Sequence, residues 1–345
     1  MYWIFRIMIS ENIFYVLFVS ILTIFFCFFS SKIALFFKLI DYPNSRKIHT
    51  EPIPLVGGLS IFLSVFIVSI LADLEINISF IIYVSSIVFI LGLIDDVFDI
   101  GFIIRLLAQL IASLIIIGIG ISIVDLGSYK YLPYLNLGYL SIIITVFCVL
   151  ALTNAFNFID GIDGFCSTQL IISLFSILLF INISNAYYDL NLLIIILIFS
   201  ILISLIFNLG LVPNFKIFLG DNGSTTIGFM IAWFLIYSSH NNLMHESLTL
   251  WAVILPTYDM LRVIFNRLIK KRNPFKPDKS HIHHLMISHG YSNLKILIYT
   301  TSFSLVSIFI GYATYIYLGP DFNILFFIIW FLFYIFFINK IFQNK

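Results

Sequence analysis

Runs of about twenty apolar residues follow one another along this chain with only short polar breaks, and each is long enough to cross a bilayer as a helix. Helices are the default for such segments, because unpaired backbone groups are too costly in hydrocarbon. A membrane barrel would show segments of about ten residues with alternating polarity, and these runs are continuous instead. A soluble domain carries about 25% charged residues; here the fraction is 10%, against 61% hydrophobic. The pattern predicts an all-α, polytopic membrane protein with about eleven transmembrane helices, formed by residues 1–345 as a single integral-membrane domain.

The expected spans lie near 12–31, 53–72, 78–94, 103–123, 137–155, 168–183, 191–207, 224–239, 247–266, 295–317 and 322–340. Those at 168–183 and 224–239 are short enough to be tilted or partly re-entrant. No repeat or low-complexity segment interrupts them. The first run lacks a small-residue cleavage site and reads as a retained span. Of the 18 Lys and Arg, all except Arg6 and Lys130 fall at or near 32–52, 95–102, 156–167, 208–223, 267–294 or the C-terminal tail. The positive-inside rule places these loops and the C-terminus in the cytoplasm. Cys27, Cys148 and Cys166 have neither metal spacing nor a disulfide framework.

The same loops collect the polar motifs. In LGLIDDVFDIG, a third helix continuing through the acids would put Asp95 and Asp99, or Asp96 and Asp99, on one face. Adjacent carboxylates repel unless a cation or a basic group joins them, and oxygen ligands beside phosphates suit Mg²⁺; a solvated helix end is the plain alternative. TNAFNFIDGIDGF sets Asn157, Asp160 and Asp163 among two glycines, where amide and carboxylate groups match the edges of a nucleobase. NFKIFLGDNGSTTIGF places Asp221 at a helix start, where free amides favour anions; an N-cap with glycine hinges would read the same. The segment from Arg262 to Lys279 is strongly basic and runs into His281, His283 and His284. Anionic lipid would suit the basicity alone. Zinc would suit the histidines, but no Cys is near and the cations oppose it, so phosphate or sugar contact is the better reading. Arg46, Lys47 and His49 serve anion binding and membrane anchoring equally well. No phosphate-binding loop of the P-loop or dinucleotide kind is present.

Taken in order, PNSRKIHTEPIPLVGG, IDDVFD, NAFNFIDGIDG, FLGDNGST and NPFKPDKSHIHH resemble the polyprenyl-phosphate N-acetylhexosamine-1-phosphate transferase family over nearly the whole chain. The wording is most similar to the branch that loads GlcNAc-1-phosphate onto undecaprenyl phosphate for O-antigen or related envelope glycans. The resemblance implies an eleven-helix fold in the bacterial inner membrane, a cytoplasmic active site, Mg²⁺ or Mn²⁺ dependence and a homodimer. It implies UDP-GlcNAc and undecaprenyl phosphate as substrates, and no nucleic-acid partner. By motif position, Asp221 and Asp96 would be metal ligands. Asp95 and Asp96 would sit at the reacting phosphates. Asp160, Asp163 and Asn157 would line the nucleotide pocket, with Asn208 also in contact and Phe218 stacking on uracil. His281, His283 and His284, with Arg262 and Arg267, would meet the sugar or diphosphate, and Arg105 would pair with phosphate. This sequence departs from the family pattern at Asn222, commonly a small residue, and at Lys279, which is Arg in the most similar branch.

The expected chemistry is attack by the lipid phosphate on the β-phosphorus of the nucleotide sugar, releasing UMP. A phosphate monoester is already mostly dianionic at pH 7, so Asp95 and Asp96 rank first as electrostatic and metal-positioning groups and second as a base. The rivals are the same reaction on another UDP-aminosugar or on UDP-MurNAc-pentapeptide, a DDxxD prenyltransferase, and a secondary transporter. Transporters place binding groups near the bilayer midplane, whereas these acids lie at its edge.

Overall fold

The computed structural model describes residues 2–43, 51–131, 133–181, 188–273 and 280–342, with side chains described from Asn12 onward. Its helices are α1 (Tyr2–Ile33), α2 (Gly57–Leu71), α3 (Ile76–Phe98), α4 (Phe102–Gly118), α5 (Leu140–Phe158), α6 (Phe165–Ile181), α7 (Tyr188–Asn208), α8 (Gly220–His240), α9 (Glu246–Ala252), α10 (Ile254–Ile269), α11 (Ile282–Ser288), α12 (Asn293–Leu318) and α13 (Pro320–Phe342). Strands β1 (Ile40–Asp41) and β2 (Ile53–Pro54) pair antiparallel, Ile40 opposite Pro54. A helix, or in one case two, covers most of each expected apolar run.

Among the described residues, six helices are long and apolar enough to cross a membrane: Asn12–Ile33, Ile76–Phe98, Leu140–Phe158, Asp189–Asn208, Asn293–Leu318 and Pro320–Phe342. The chain is thus a multi-pass membrane protein. The single span expected over 247–266 is instead broken: α9 and α10 meet at 84°. Pro256 has no N–H for the carbonyl of Ala252, so the helical ladder cannot run through this point. Counted as one span, the bent pair makes seven, and α2, α4 and α6 are apolar but shorter.

The chain divides into two compact units. The first comprises 1–120 with 187–233. In α1, Val16, Val19, Thr23, Cys27 and Ser30 are buried at helical spacing, while Phe14, Leu17, Ile21, Phe25 and Phe29 face outward. Small and hydroxyl residues inside with bulky apolar ones outside is the membrane arrangement, since lipid solvates Phe and Leu as well as a core does. The Thr23 hydroxyl lies 2.8 Å from those of Ser64 and Ser200, tying α1 to α2 and α7. At the end of this unit, Gly57 and Gly58 donate their amides to the carbonyls of Phe218 and Leu219 at 2.9 and 2.8 Å. A Cβ on Gly58 would strike Gly223 and Asn222, and one on Gly92 would come within 2.5 Å of the Asn222 Cα. These glycines let the start of α8 press against α2 and α3.

The second unit comprises 121–186 with 234–345. Trp251 of α9 packs against Gly311 of α12, where a Cβ would approach the indole to 2.5 Å. Ser304 donates to Gln169 at 2.8 Å across α12 and α6, and the Asn323 amide donates to the Gly311 carbonyl at 2.7 Å. The loop before α5 is held by the Asp321 carboxylate, which accepts from the amides of Lys130 and Tyr131 at 2.9 and 2.8 Å.

Candidate active site

In the first unit the acidic motif closes α3. The helix ends at Phe98, and Asp99 adopts a left-handed conformation (φ 50°) as its C-cap, donating its amide to Asp95 at 2.8 Å. The shared acidic face expected from a continuing helix therefore does not include Asp99, which is turned out and exposed. Asp95 and Asp96 remain on α3 and have different jobs. Asp96 accepts from the Asp221 amide at 2.9 Å and from the Asn222 amide at 3.2 Å, and the Asn222 side-chain amide donates to it as well. One α3 carboxylate thus satisfies free N–H groups in the first turn of α8, where the helix dipole also favours it.

Asp95 is 7% exposed. Its Oδ2 accepts from Arg105 of α4 at 2.9 Å, and the same guanidinium nitrogen reaches Asp221 Oδ2 at 2.5 Å. The other oxygen, Asp95 Oδ1, is buried without a hydrogen-bond donor among the described residues. A buried acceptor left in that state favours an additional cation or donor. The Asp221 side chain keeps 40% of its surface, so the pair opens outward. Among the described residues no three His, Cys, Asp or Glu converge as a complete metal cage. The donor set is that of Mg²⁺, which takes one or two carboxylates and fills its octahedron with water and phosphate oxygens. Nearby, Asn208 donates to the Ile217 carbonyl at 2.9 Å, and the Lys216 ammonium sits 5.5 Å from the Phe218 ring centroid.

In the second unit the histidine segment is built on a buried acid. Asp259 of α10 is fully buried and Arg262 is 2% exposed. The Arg262 guanidinium donates to Asp259 at 2.7 Å and to the Ser280 carbonyl at 2.6 Å. His281 Nδ1 meets Asp259 Oδ2 at 2.8 Å, and the Ile282 amide donates to Oδ1 at 3.0 Å. Arg262, expected at the substrate, is thus engaged in holding the segment that carries the histidines. His283 is fully buried, and neither ring nitrogen has a hydrogen-bond partner among the described residues. Burial first, and the adjacent His284 second, push its pKa down to about 3. Its ring lies against Gly161, where a Cβ would collide with Nε2. The Asp160–Asp163 loop and the histidine segment are therefore packed together, as Asn157 and Asp160 close their turn through an amide–carbonyl bond of 3.1 Å. The His284 ring is tilted against that of His283, with their centroids 4.1 Å apart. Arg267, with Lys270 and Arg272, lines a basic cavity of about 140 Å³. Arg46, Lys47 and His49 lie outside the described residues.

Sequence reasoning did not single out Asp259 for a role. The signal available was an acid and an arginine three residues apart inside an apolar helix, a spacing at which the two side chains meet.

The model of glycosyl transferase family 4 matches residues 78–239. The chain is 33% identical over 285 residues to the undecaprenyl-phosphate alpha-N-acetylglucosaminyl 1-phosphate transferase of Yersinia pestis, covering 80% of this chain and 77% of that one. It is 34% identical to the Haemophilus influenzae protein of the same name, over 86% and 85% of the two chains. For that of Escherichia coli (strain K12) the identity is 32%, over 82% and 78%. The chain belongs to glycosyl transferase family 4, and it is a phosphoglycosyl transferase.

Proposed function

We propose that this enzyme transfers GlcNAc-1-phosphate from UDP-GlcNAc to undecaprenyl phosphate at the cytoplasmic face of the bacterial inner membrane, releasing UMP and starting a lipid-linked envelope glycan. Eleven crossings, a homodimer and dependence on Mg²⁺ or Mn²⁺ belong to the same reading. The observation that supports it most directly is the Arg105 bridge between Asp95 and Asp221, beside the undonated Asp95 oxygen. Both substrates are anions, so their mutual repulsion is the main barrier. Bound there, Mg²⁺ would neutralise the diphosphate and stabilise the departing UMP.

The residues of the chain do the rest. An oxygen of the lipid phosphate forms the new bond to the β-phosphorus while the bond to the UMP oxygen breaks and its electron pair leaves with UMP. No proton need move, because the nucleophile is already mostly dianionic at pH 7. Asp95 and Asp221 would hold the cation. Asp96 holds Asp221 in place through the start of α8, and Arg105 supplies fixed positive charge. The Asp160–Asp163 loop and the histidine segment bind the nucleotide sugar.

The test is transfer of radiolabelled sugar phosphate from UDP-GlcNAc to undecaprenyl phosphate by purified enzyme, with Mg²⁺ and with EDTA, beside Asp221→Asn. Metal-dependent lipid product that is lost in the variant is expected. Product from UDP-MurNAc-pentapeptide or another UDP-aminosugar alone would overturn the donor assignment.

A further inference from the structure

A fully buried carboxylate in an apolar helix is costly unless every oxygen is engaged, and Asp259 meets that condition. Oδ1 accepts from Arg262 at 2.7 Å and from the Ile282 amide at 3.0 Å, with the Tyr334 hydroxyl of α13 at 3.4 Å. Among the described residues Oδ2 faces only His281 Nδ1, at 2.8 Å. Through Arg262 the acid also reaches the Ser280 carbonyl. Three successive residues are thus held from one point: the carbonyl of Ser280, the ring of His281 and the amide of Ile282. With no surface of its own, Asp259 cannot touch a substrate.

The arrangement dictates the tautomer of His281. A carboxylate oxygen only accepts, so Nδ1 carries the proton, and in the neutral ring Nε2 keeps its lone pair. That nitrogen has no partner among the described residues, and the ring retains 11% of its surface. We propose that Asp259 is a positioning residue for the transfer: with Arg262 it locks His281 in the Nδ1–H form and presents Nε2 as a hydrogen-bond acceptor to a hydroxyl or N–H group of the nucleotide sugar. This rests on the reading of the histidine segment as donor-binding.

Replacement by Asn makes a sharp test because the two oxygens have different partners. Arg262 and the Ile282 amide are both donors, so the Asn carbonyl stays with them and its NH₂ turns to His281. An NH₂ donates to Nδ1, and the ring proton moves to Nε2. The acceptor becomes a donor with almost no change in shape.

The experiment is carbethoxylation of the full-length enzyme in detergent with diethyl pyrocarbonate, read residue by residue by mass spectrometry, with the exposed His240 as internal reference. The unprotonated ring nitrogen attacks the reagent with its lone pair. In Asp259→Asn the modification of His281 is expected to slow several-fold relative to His240; a rate unchanged or faster would overturn the proposal, and loosened packing would make it faster. Asp259→Asn/Arg262→Met, which removes both buried charges together, repeats the reading should the single variant misfold. On the active enzyme, Asp259→Asn is expected to raise KM for the nucleotide sugar about tenfold with kcat and the lipid KM little changed, and to add no further loss in a His281→Gln background. Full additivity with His281→Gln would overturn the proposal. The carbethoxylation needs no turnover, so it decides on Asp259 even where UDP-GlcNAc proves to be the wrong donor.

Discussion

His283 and Gly161, more than a hundred residues apart in sequence, touch so closely that no side chain fits between them. The contact fixes the Asp160–Asp163 loop against the histidine segment, so one residue of the loop sets where the histidines stand. Gly161→Ala is expected to cost about 1–3 kcal/mol, as overpacking of a tight contact does. Transfer should fall at least tenfold while the detergent-solubilised protein stays monodisperse, checked by activity and thermal unfolding on one preparation.

The buried neutral His283 makes stability depend on pH in a defined direction. Its folded pKa of about 3 lies below the ordinary value of 6.5. Between these values the unfolded chain binds the extra proton, so stability falls as pH drops below about 6.5 and continues to fall toward about 3. Each pH unit in that window costs on the order of 1.4 kcal/mol from this one group. Unfolding temperatures between pH 4.5 and 7.5 should show the slope, and His283→Gln should flatten it.

Arg105 and the divalent cation we propose would draw on the same two carboxylates. Arg105→Ala leaves Asp95 and Asp221 facing one another without their shared positive charge. We expect a loss of about 1–3 kcal/mol, below the full cost of a buried pair because Asp221 is partly exposed. Mg²⁺ should then raise the unfolding temperature more in the variant than in the wild type. Equal shifts would show that the cation binds elsewhere.

The Asn222 side chain donates to Asp96. Two backbone amides grip the same carboxylate, so Asn222→Ala should cost only about 1 kcal/mol. Transfer activity should stay within a few-fold of wild type.

The length of the apolar runs placed a helix at every one of them, because a long apolar segment has one way to satisfy its backbone in lipid. It could not show the break before Pro256, since apolar residues fill both arms of the bend alike. The acidic motif was legible as a cluster, but its geometry turned on the left-handed Asp99. Asp259 stayed hidden for a different reason. Its meaning comes from His281, 22 residues on, and from Tyr334, 75 residues on, and neither distance leaves a local pattern. His283 was visible as one of three histidines, yet its burial follows from the glycine opposite.

The Asp96–Asp221 contact spans 125 residues of chain. At about 5–20 residues per second of synthesis, α3 waits roughly 6–25 seconds at the membrane before the start of α8 exists. Arg105 is made within a second or two of the acids at that pace. It is therefore in place as a counter-charge to Asp95, a chaperone encoded ten positions downstream of the carboxylate, before Asp221 exists.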